Sequence, residues 1–504
     1  MDTVHRPTLE RSEQERVRLD KLASMQDAGI QAYPPEFRPT ATTAGLHDRY
    51  SSLPAGEDTT DIVRLAGRIV SRRTSGKLCF MDLVDGTHGR IQIFADLGGL
   101  GEEAFRRLTE WVDLGDILGV EGHVRRTRRG ELSVQPSSWT MLAKALRPLP
   151  EKWHGLTDVE VRYRARHLDL ITNPEVREAF IKRSRAVSAI RRVLDAEGFL
   201  EVETPMLHAI PGGAAARPFL THHQALDLEL HLRISPELYL KRLVVGGLVR
   251  VYEINRSFRN EGISTRHNPE FTMIEVYQAY ADYSDMMTLT ERLVAAAATE
   301  ACGGTRIPCQ QHPTGFLDLT PPWPRRTMQA QVDLFLREMG HEPDALDLDA
   351  RLRILVAQGG TVPREVTPGS VLAALFDCFD SRLLDPVFIT DFPVEVSPLA
   401  KRHRDDPSLT ERFEVFILGR ELANAFSELN DPLDQRGRFE AQAAAKASGD
   451  EEAHAVDEDY LGALEQGMPP TGGLGIGIDR LAMLLCDAAS IRDVILFPLL
   501  RPRA

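Results

Sequence analysis

The residues best suited to chemistry in this chain lie between Phe258 and Tyr280. A polar loop in that stretch concentrates cations and hydrogen-bonding groups, namely Arg259, Glu261, Arg266, His267 and Asn268. Arginine presents a planar fork of donors that matches phosphate or carboxylate, and a ring such as Phe271 beside it suits a nucleotide base. The pattern favours a nucleotide site, and a solvated hairpin with surface ion pairs is the alternative interpretation.

The strand that follows this loop carries a second set of candidates. A period of two places alternate residues on one face, which are Phe271, Met273, Glu275 and Tyr277. That face combines aromatic rings with a carboxylate. It is the surface on which we expect a ligand to lie.

A third set lies in a predicted hairpin from Arg412 to Asp431, with Gly419 and Arg420 as its turn. Glu414 and Glu421 lie on its two strands, and the return strand has one polar face formed by Asn424, Phe426 and Glu428. Simple parity does not place Glu421 on that face, so a β-bulge is required if both carboxylates contact a ligand. Buried carboxylates favour a cation, and Mg²⁺ suits a few carboxylates plus phosphate oxygens. Ordinary hairpin salt bridges are the alternative.

The charge of these faces indicates the substrate. Tyr277 and Glu428 project from them, Glu275 supplies a further acid, and no lysine or arginine is expected on the same faces. An anionic or neutral ligand group at this place would leave Glu428 buried and unpaired, at a cost of about 1–3 kcal/mol. The pocket therefore favours a cationic side chain, with lysine the consistent choice.

The N-terminal part of the chain predicts a small closed barrel that binds oligonucleotides. Its short β-type runs are Val63–Val70, Leu78–Val84, Arg90–Phe94, Ile117–Val124 and Leu132–Leu142, with a helix at about Gly101–Trp111. Arginines and the ring of Phe80 on the first two strands suit single-stranded RNA. Phe80 in the barrel core is the alternative.

Other segments frame the catalytic candidates. A long amphipathic helix is predicted at about 173–197, and a loop without side chains at Gly212 and Gly213 lets backbone approach a ligand. Glu237 begins a helix, where a simple helix-start ion is the alternative role. Near the C-terminus Gly473–Arg480 reads G-L-G-I-G-I-D-R, with Asp479 as a cap. Helix packing onto the sheet is expected to explain these glycines, but it does not explain Arg480.

Composition sets outer limits on function. A chain of 504 residues is too long to form a single hydrophobic core, so more than one domain is expected. The formal net charge of −14 argues against a protein that coats nucleic acid non-specifically. Five scattered cysteines without paired spacing exclude a disulfide scaffold and a zinc ribbon. With no long apolar run and no targeting signal, we expect a cytoplasmic protein without a membrane span.

The run F-R-N-E followed by R-H-N-P-E-F resembles the second signature motif of the class II aminoacyl-tRNA synthetases. The form of the motif that contains Asn260 resembles that of the bacterial lysyl enzymes. The resemblance extends from about residue 62 to Arg501. It implies an α+β fold: a five-stranded barrel that binds the anticodon, then a catalytic domain built on an antiparallel sheet flanked by helices. It also implies the partners tRNA(Lys), ATP and L-lysine, a homodimer, and attachment of lysine to tRNA through lysyl-adenylate.

The resemblance assigns roles to individual positions. Arg259 and Arg480 would be catalytic, and Glu414 and Glu421 would hold magnesium. The ATP site would comprise Arg259, Glu261, His267, Asn268, Phe271, Glu414, Glu421 and Arg480. The lysine site would comprise Gly213, Glu237, Arg259, Glu275, Tyr277, Asn424, Phe426 and Glu428. The anticodon would contact Arg73, Phe80 and Gln92.

We expect four segments: an N-terminal helix and connector (1–60), the barrel (61–146), a linker (147–172) and the catalytic domain (173–504), with an insertion at about 302–386. Three alternatives stay open on the sequence alone. They are an enzyme that attaches lysine to a protein, a catalytically inactive RNA-binding paralogue, and a specialised or inhibitor-resistant duplicate with the same reaction.

Overall fold

The computed structural model describes residues 11–87, 89–150, 156–214, 216–447 and 455–502. The chain divides into two compact units, one formed by Met1–Asp158 with Ile171–Pro174 and the other by Val159–Leu170 with Glu175–Ala504. Residues 1–10 of the predicted N-terminal segment and residues 151–155 of the predicted linker lie outside the described residues. Within these ranges no helix combines the length and apolar character needed to cross a membrane.

The first unit contains a closed barrel with the strand order β1-β2-β3-β5-β4. Its strands are β1 (Asp58–Ser75), β2 (Leu78–Val84), β3 (Arg90–Asp96), β4 (Ile117–Arg126) and β5 (Leu132–Ala143). Its helices are α1 (Glu13–Asp27), α2 (Thr43–Arg49), α3 (Leu97–Leu100) and α4 (Glu102–Trp111). Alternation along β2 buries Cys79, Met81 and Leu83 inside the barrel and leaves Phe80 out of this core. The alternative of Phe80 as a core ring is therefore wrong.

Polar contacts fasten helix α1 to the barrel. The Arg18 guanidinium donates to the carbonyl of Ala145 at 2.7 Å. Lys21 pairs with Asp113 at 2.6 Å, and Asp113 also accepts from the buried Lys144 ammonium at 2.6 Å. The N-terminal helix thus belongs to the barrel unit.

The second unit is built on an eight-stranded sheet in the order β14-β15-β16-β17-β18-β11-β10-β6. The pairs β14–β15 and β6–β10 are parallel and the others antiparallel. The strands are β6 (Leu200–Glu201), β10 (Arg250–Phe258), β11 (Glu270–Ala279), β14 (Arg325–Thr327), β15 (Val387–Thr390), β16 (Arg412–Ile417), β17 (Arg420–Ser427) and β18 (Thr471–Gly477). Smaller sheets contain β7 (Leu207–His208), β8 (Leu220–His223), β9 (Leu228–Leu232), β12 (Arg306–Pro308) and β13 (Phe316–Asp318).

Helices cover this sheet, which confirms the α+β class. They are α5 (Val159–Arg164), α6 (Arg166–Thr172), α7 (Pro174–Ala196), α8 (Glu237–Val245), α9 (Tyr283–Cys302), α10 (Met328–Glu338), α11 (Leu348–Ala357), α12 (Pro368–Asp377), α13 (Pro432–Ala447), α14 (Glu458–Leu464), α15 (Ile478–Leu485) and α16 (Ile491–Val494). The main core joins α7 and α9 to the sheet through buried side chains such as Ile190, Leu293, Ile274 and Leu474.

The hairpin between β16 and β17 differs from its prediction by one residue. Its turn is Leu418–Gly419, with φ of 52° and 64°, and Arg420 already belongs to β17. Two consecutive residues with positive φ match the twist of a tight hairpin. Leucine rarely adopts this conformation, so the residue types alone do not indicate Leu418 as a turn residue.

Candidate functional site

A cavity of about 380 Å³ lies over β11, β16, β17 and β18 of the large sheet. Such a volume is typical of small-molecule sites. The cavity brings together every residue predicted for the catalytic part of the chain: Gly213, Glu237, Arg259, Glu261, His267, Asn268, Phe271, Glu275, Tyr277, Glu414, Glu421, Asn424, Phe426, Glu428 and Arg480.

Cations cluster in one region of this cavity. The guanidinium of Arg259 lies 5.1 Å from the centroid of the Phe271 ring. Burial lowers the pKa of Arg259, but an arginine stays charged at any physiological pH. Partial burial, with Arg480 and Arg259 nearby, lowers the pKa of His267, which favours a neutral imidazole. The region suits an anionic ligand held by two fixed positive charges.

A bulge places Glu421 in the cavity. Val415 pairs with Ala423 and Phe416 with Glu421, so Leu422 is an extra residue in β17. This extra residue reverses the parity that would have pointed Glu421 away from Asn424. Both hairpin carboxylates therefore face the cavity.

The two hairpin carboxylates differ in charge state. Burial and the neighbouring Glu421 raise the pKa of Glu414 to about 7, against the opposing effect of Arg412. Burial alone would raise the pKa of Glu421, but Arg480 outweighs it and the pKa is lowered. No cluster of three or more His, Cys, Asp and Glu side chains able to hold a metal occurs in the described ranges. Two carboxylates beside an arginine-lined region nevertheless fit Mg²⁺, which takes its other ligands from phosphate and water.

Three acids gather in another region of the cavity. Glu428 is 1 % exposed, Glu275 3 % and Glu237 6 %. The Ser235 hydroxyl donates to Glu275 Oε1 at 2.7 Å and the Tyr277 hydroxyl to Oε2 at 3.1 Å. Burial, together with Glu237, raises the pKa of Glu275 to about 8. This concentration of buried acid suits a cationic ligand.

The prediction that no lysine or arginine shares these faces is wrong. Lys241 reaches from α8, with its Nζ 2.6 Å from Glu237 Oε1 and in direct contact with Glu428 Oε2. Arg412 donates from Nε to Asn424 Oδ1 at 3.0 Å and from Nη2 to Glu414 Oε1 at 2.5 Å.

Sequence signals existed for both missed cations. Lys241 stands four residues after Glu237 on a helix, which is the spacing of an ion pair. Arg412 stands two residues before Glu414 on a strand and so shares its face.

The glycines near the C-terminus have a different role from the one predicted. They lie on β18, where Gly473, Gly475 and Gly477 line the cavity and Gly472 faces α9. A Cβ on Gly473 would lie 1.8 Å from Glu428 Oε1, whereas one on Gly472 would meet Met286 of α9 at 3.0 Å. Helix packing explains only the latter position, because the alternate residues form the bare floor of the cavity.

The prediction that Asp479 is the N-cap of α15 is wrong. Gly477 occupies the N-cap position, without a side-chain hydrogen bond. Asp479 lies inside the helix, where it accepts from the backbone N–H of Thr272 at 2.8 Å and pairs with Arg183. It therefore joins α15 to β11 and α7.

Gly213 approaches Glu237 closely. Its φ is +85°, and a Cβ there would lie 3.0 Å from both Glu237 Cβ and Ser235 Oγ. A side chain at this position would therefore displace the acid at the start of α8.

The residues predicted to contact RNA lie on the barrel surface. Arg73 and Phe80 are partners across β1 and β2, with the guanidinium 5.3 Å from the ring centroid. Phe80 also meets Phe94 edge to face at 5.2 Å. Gln92, on β3, accepts from the Ser133 hydroxyl at 3.1 Å.

Comparison with known proteins matches both units. Residues 158–501 match the family model described as tRNA synthetases class II (D, K and N), and residues 63–142 match an OB-fold nucleic acid binding domain. A lysine–tRNA ligase of Pelotomaculum thermopropionicum is 55% identical over 97% of this chain and 95% of its own length. The ligases of Carboxydothermus hydrogenoformans and Parasynechococcus marenigrum are 55% and 54% identical, each over 97% of this chain and 98% of their own. The chain therefore belongs to the class II tRNA synthetases of the D, K and N group, in the family of lysine–tRNA ligases.

Proposed function

We propose that the cavity activates L-lysine with ATP and transfers it to tRNA(Lys), so that the protein is a lysine–tRNA ligase. The observation that carries this proposal is the state of Glu428. Its carboxylate is buried, Oε2 contacts the Lys241 ammonium, and Oε1 has no hydrogen-bond partner within the described part of the chain. A buried acid of this kind lowers its free energy by accepting a ligand's ammonium group.

The cavity floor has a length that suits both substrates. Gly473 lies beside Glu428, and Gly477 lies beside the Arg480 side chain. Four residues along one strand span about 13 Å. This distance accommodates a lysine side chain at one end and the phosphates of ATP at the other.

Lysine would be held through both of its ammonium groups. Glu237 and the backbone at Gly213 would hold the α-ammonium group, while Glu428 and Tyr277 would hold the side-chain ammonium. Asn424 and Phe426 would form the wall between these two contacts, and Glu275 would support Tyr277 through the hydrogen bond at 3.1 Å.

The first chemical step joins lysine to AMP. A lysine carboxylate oxygen attacks the α-phosphorus in line, the bond to the β-phosphate oxygen breaks, and pyrophosphate leaves. Arg259 would bridge the carboxylate and the α-phosphate, and Arg480 and His267 would hold the outer phosphates. Adenine would stack on Phe271, with Glu261 and Asn268 beside it. Positioning and charge neutralisation supply the rate, and no enzyme nucleophile is needed.

In the second step a terminal ribose hydroxyl of tRNA attacks the lysyl carbonyl and AMP leaves. The barrel would select the tRNA, with Phe80 stacked on an anticodon base, Arg73 on a phosphate and Gln92 on a base edge. Glu414 and Glu421 would hold Mg²⁺, which neutralises phosphate charge when bound. We further propose that the protein acts as a homodimer in the cytoplasm.

An inactive RNA-binding role is not favoured, because the chemically required side chains are present and converge on one cavity. An enzyme that attaches lysine to a protein would have no use for the barrel.

The test is amino-acid-dependent exchange between ATP and pyrophosphate across all twenty amino acids, followed by charging of bulk tRNA. We expect exchange with lysine alone and charging of lysine-accepting tRNA. Exchange with another amino acid, or with none, would contradict the proposal.

A further inference from the structure

Lys241 is a buried cation that lies behind the acidic region of the cavity and contacts two of its acids. Its side chain is fully buried, and its Nζ lies 2.6 Å from Glu237 Oε1 and in contact with Glu428 Oε2. The ring centroid of Phe426 lies 5.5 Å from the same nitrogen. The two carboxylates that Lys241 joins are those proposed to receive the two ammonium groups of lysine.

Pairing within α8 does not account for this arrangement. A contact between Glu237 and Lys241 one helical turn apart would satisfy the ammonium in part. The second contact crosses to Glu428, just beyond the end of β17, and so links two elements of the cavity wall. Because a desolvated ammonium without carboxylate partners is costly, both acids constrain where the nitrogen lies.

The bridge also affects the charge of Lys241 and of Glu428. Burial would lower the pKa of the Lys241 ammonium, but Glu237 and Glu428 outweigh it and the pKa is raised well above its usual value. Burial and the neighbouring Glu237 raise the pKa of Glu428, and Lys241 opposes that rise. The bridge occupies one oxygen of each acid. Glu428 Oε1, which has no hydrogen-bond partner among the described residues, is left to a ligand.

We propose that Lys241 is a positioning residue that determines specificity, because it holds Glu237 and Glu428 at a fixed separation. That separation selects an amino acid whose two ammonium groups are as far apart as those of lysine. Ornithine, one methylene shorter, cannot reach both carboxylates at once. This inference rests on the proposed function and assigns the discrimination by chain length to a side chain that does not touch the substrate.

The test compares Lys241→Met and Lys241→Arg with the wild type, and uses Lys446→Met as the matched control because Lys446 is an exposed lysine on α13. ATP–pyrophosphate exchange gives kcat and KM for lysine, ornithine and ATP. One methylene is worth about 10–200-fold in discrimination. For Lys241→Met we expect the lysine-to-ornithine ratio of kcat/KM to fall about tenfold or more, mainly through the KM of lysine, with the KM of ATP unchanged.

Each remaining outcome decides the proposal. If Lys241 had only a structural role, Lys241→Met would lower thermal stability and kcat but leave the lysine-to-ornithine ratio of kcat/KM unchanged. That result would overturn the inference. If Lys241→Met does not fold, Lys241→Arg decides. Arginine keeps the positive charge, but its longer, planar guanidinium group moves the two carboxylates. An altered lysine-to-ornithine ratio of kcat/KM therefore supports the inference, and an unaltered ratio overturns it. Failure of the proposed function is distinct, since the wild type would then show no lysine-dependent exchange.

Discussion

Arg259 contacts an aromatic ring of the cavity and keeps one of its hydrogen-bond donors unused in the described ranges. Its guanidinium lies 5.1 Å from the Phe271 ring centroid and its Nε has no hydrogen-bond partner among the described residues. Removing one preorganised donor to a transition state costs on the order of a hundredfold in rate. We therefore expect Arg259→Ala to reduce lysine-dependent ATP–pyrophosphate exchange about a hundredfold or more. Arg306→Ala is the matched control, because Arg306 lies 5.1 Å over the exposed Phe316 ring. Equal activities of the two variants would dismiss the role of Arg259.

Glu275 makes the stability of the unliganded protein depend on pH. Burial, with Glu237, raises its pKa to about 8 from the ordinary 4.5. Between these values the unfolded chain loses the Glu275 proton while the folded protein keeps it, so the contribution to stability falls as pH rises. Its slope approaches about 1.4 kcal/mol per pH unit.

The variant Glu275→Gln removes this titration. We expect its thermal midpoint, relative to the wild type, to increase from pH 5 to pH 8 and then to level off. Glu440→Gln, on the exposed side of α13, should show a constant difference across the same range. A constant difference for Glu275→Gln as well would mean that Glu275 is ionised in the folded protein at neutral pH.

For individual residues of the cavity, the sequence predicted which residue types would lie together, but it did not predict which contacts they would make with one another. Glu237 and Glu428 are both recognisable as candidate acids, yet the ammonium that joins them comes from Lys241 on α8. Periodicity assigns a face within one element. It says nothing about a side chain that crosses from a helix to a strand, which depends on packing.

Alternate residues of strand β18 face the cavity and helix α9, so ligand binding and helix packing depend on different residues. A Cβ on Gly473 would lie 1.8 Å from Glu428 Oε1 and 2.8 Å from Tyr277 Cε1. We expect Gly473→Ala to raise the KM of lysine about tenfold or more, because Glu428 must move to admit the methyl group. Exchange kinetics at saturating ATP measure this effect.

Gly472 provides the control on the same strand. A Cβ there would meet Asp282 O and Met286 Cγ at 3.0 Å on the α9 side. Overpacking of this kind costs about 1–3 kcal/mol of stability. Gly472→Ala should therefore lower the thermal midpoint and leave the KM of lysine unchanged. If both variants affected only stability, β18 would not form the floor of a lysine site.

The bulge at Leu422 illustrates how far pattern reasoning extends at the level of an element. Parity alone pointed Glu421 away from Asn424, and chemistry required both carboxylates on one side. The register between β16 and β17 resolves this conflict with one extra residue. The position of the bulge depends on cross-strand pairing, which a single sequence does not specify.

For the whole molecule, alternating runs predicted four of the five barrel strands closely, because one face of each strand packs into a small shared core. The first strand, β1, extends beyond the predicted Val63–Val70 at both ends. The large sheet was less predictable. Its order places β18, from the end of the chain, between β17 and β11. Such long-range pairing leaves no local signal, and here it was the resemblance to a known family that implied the antiparallel sheet.

The division into two units predicts that tRNA recognition and amino acid activation respond separately to mutation. Phe80 lies on the barrel surface against Arg73, while the cavity residues all belong to the second unit. Stacking of one base on a ring contributes about 1–3 kcal/mol to binding of single-stranded RNA. We expect Phe80→Ala to lower kcat/KM for tRNA charging about tenfold to a hundredfold and to leave ATP–pyrophosphate exchange unchanged. Phe316→Ala removes an exposed ring that also lies beneath an arginine, and it should alter neither reaction. Loss of exchange in Phe80→Ala would show that the ring supports the catalytic unit rather than RNA, whereas unchanged charging would remove Phe80 from the anticodon site.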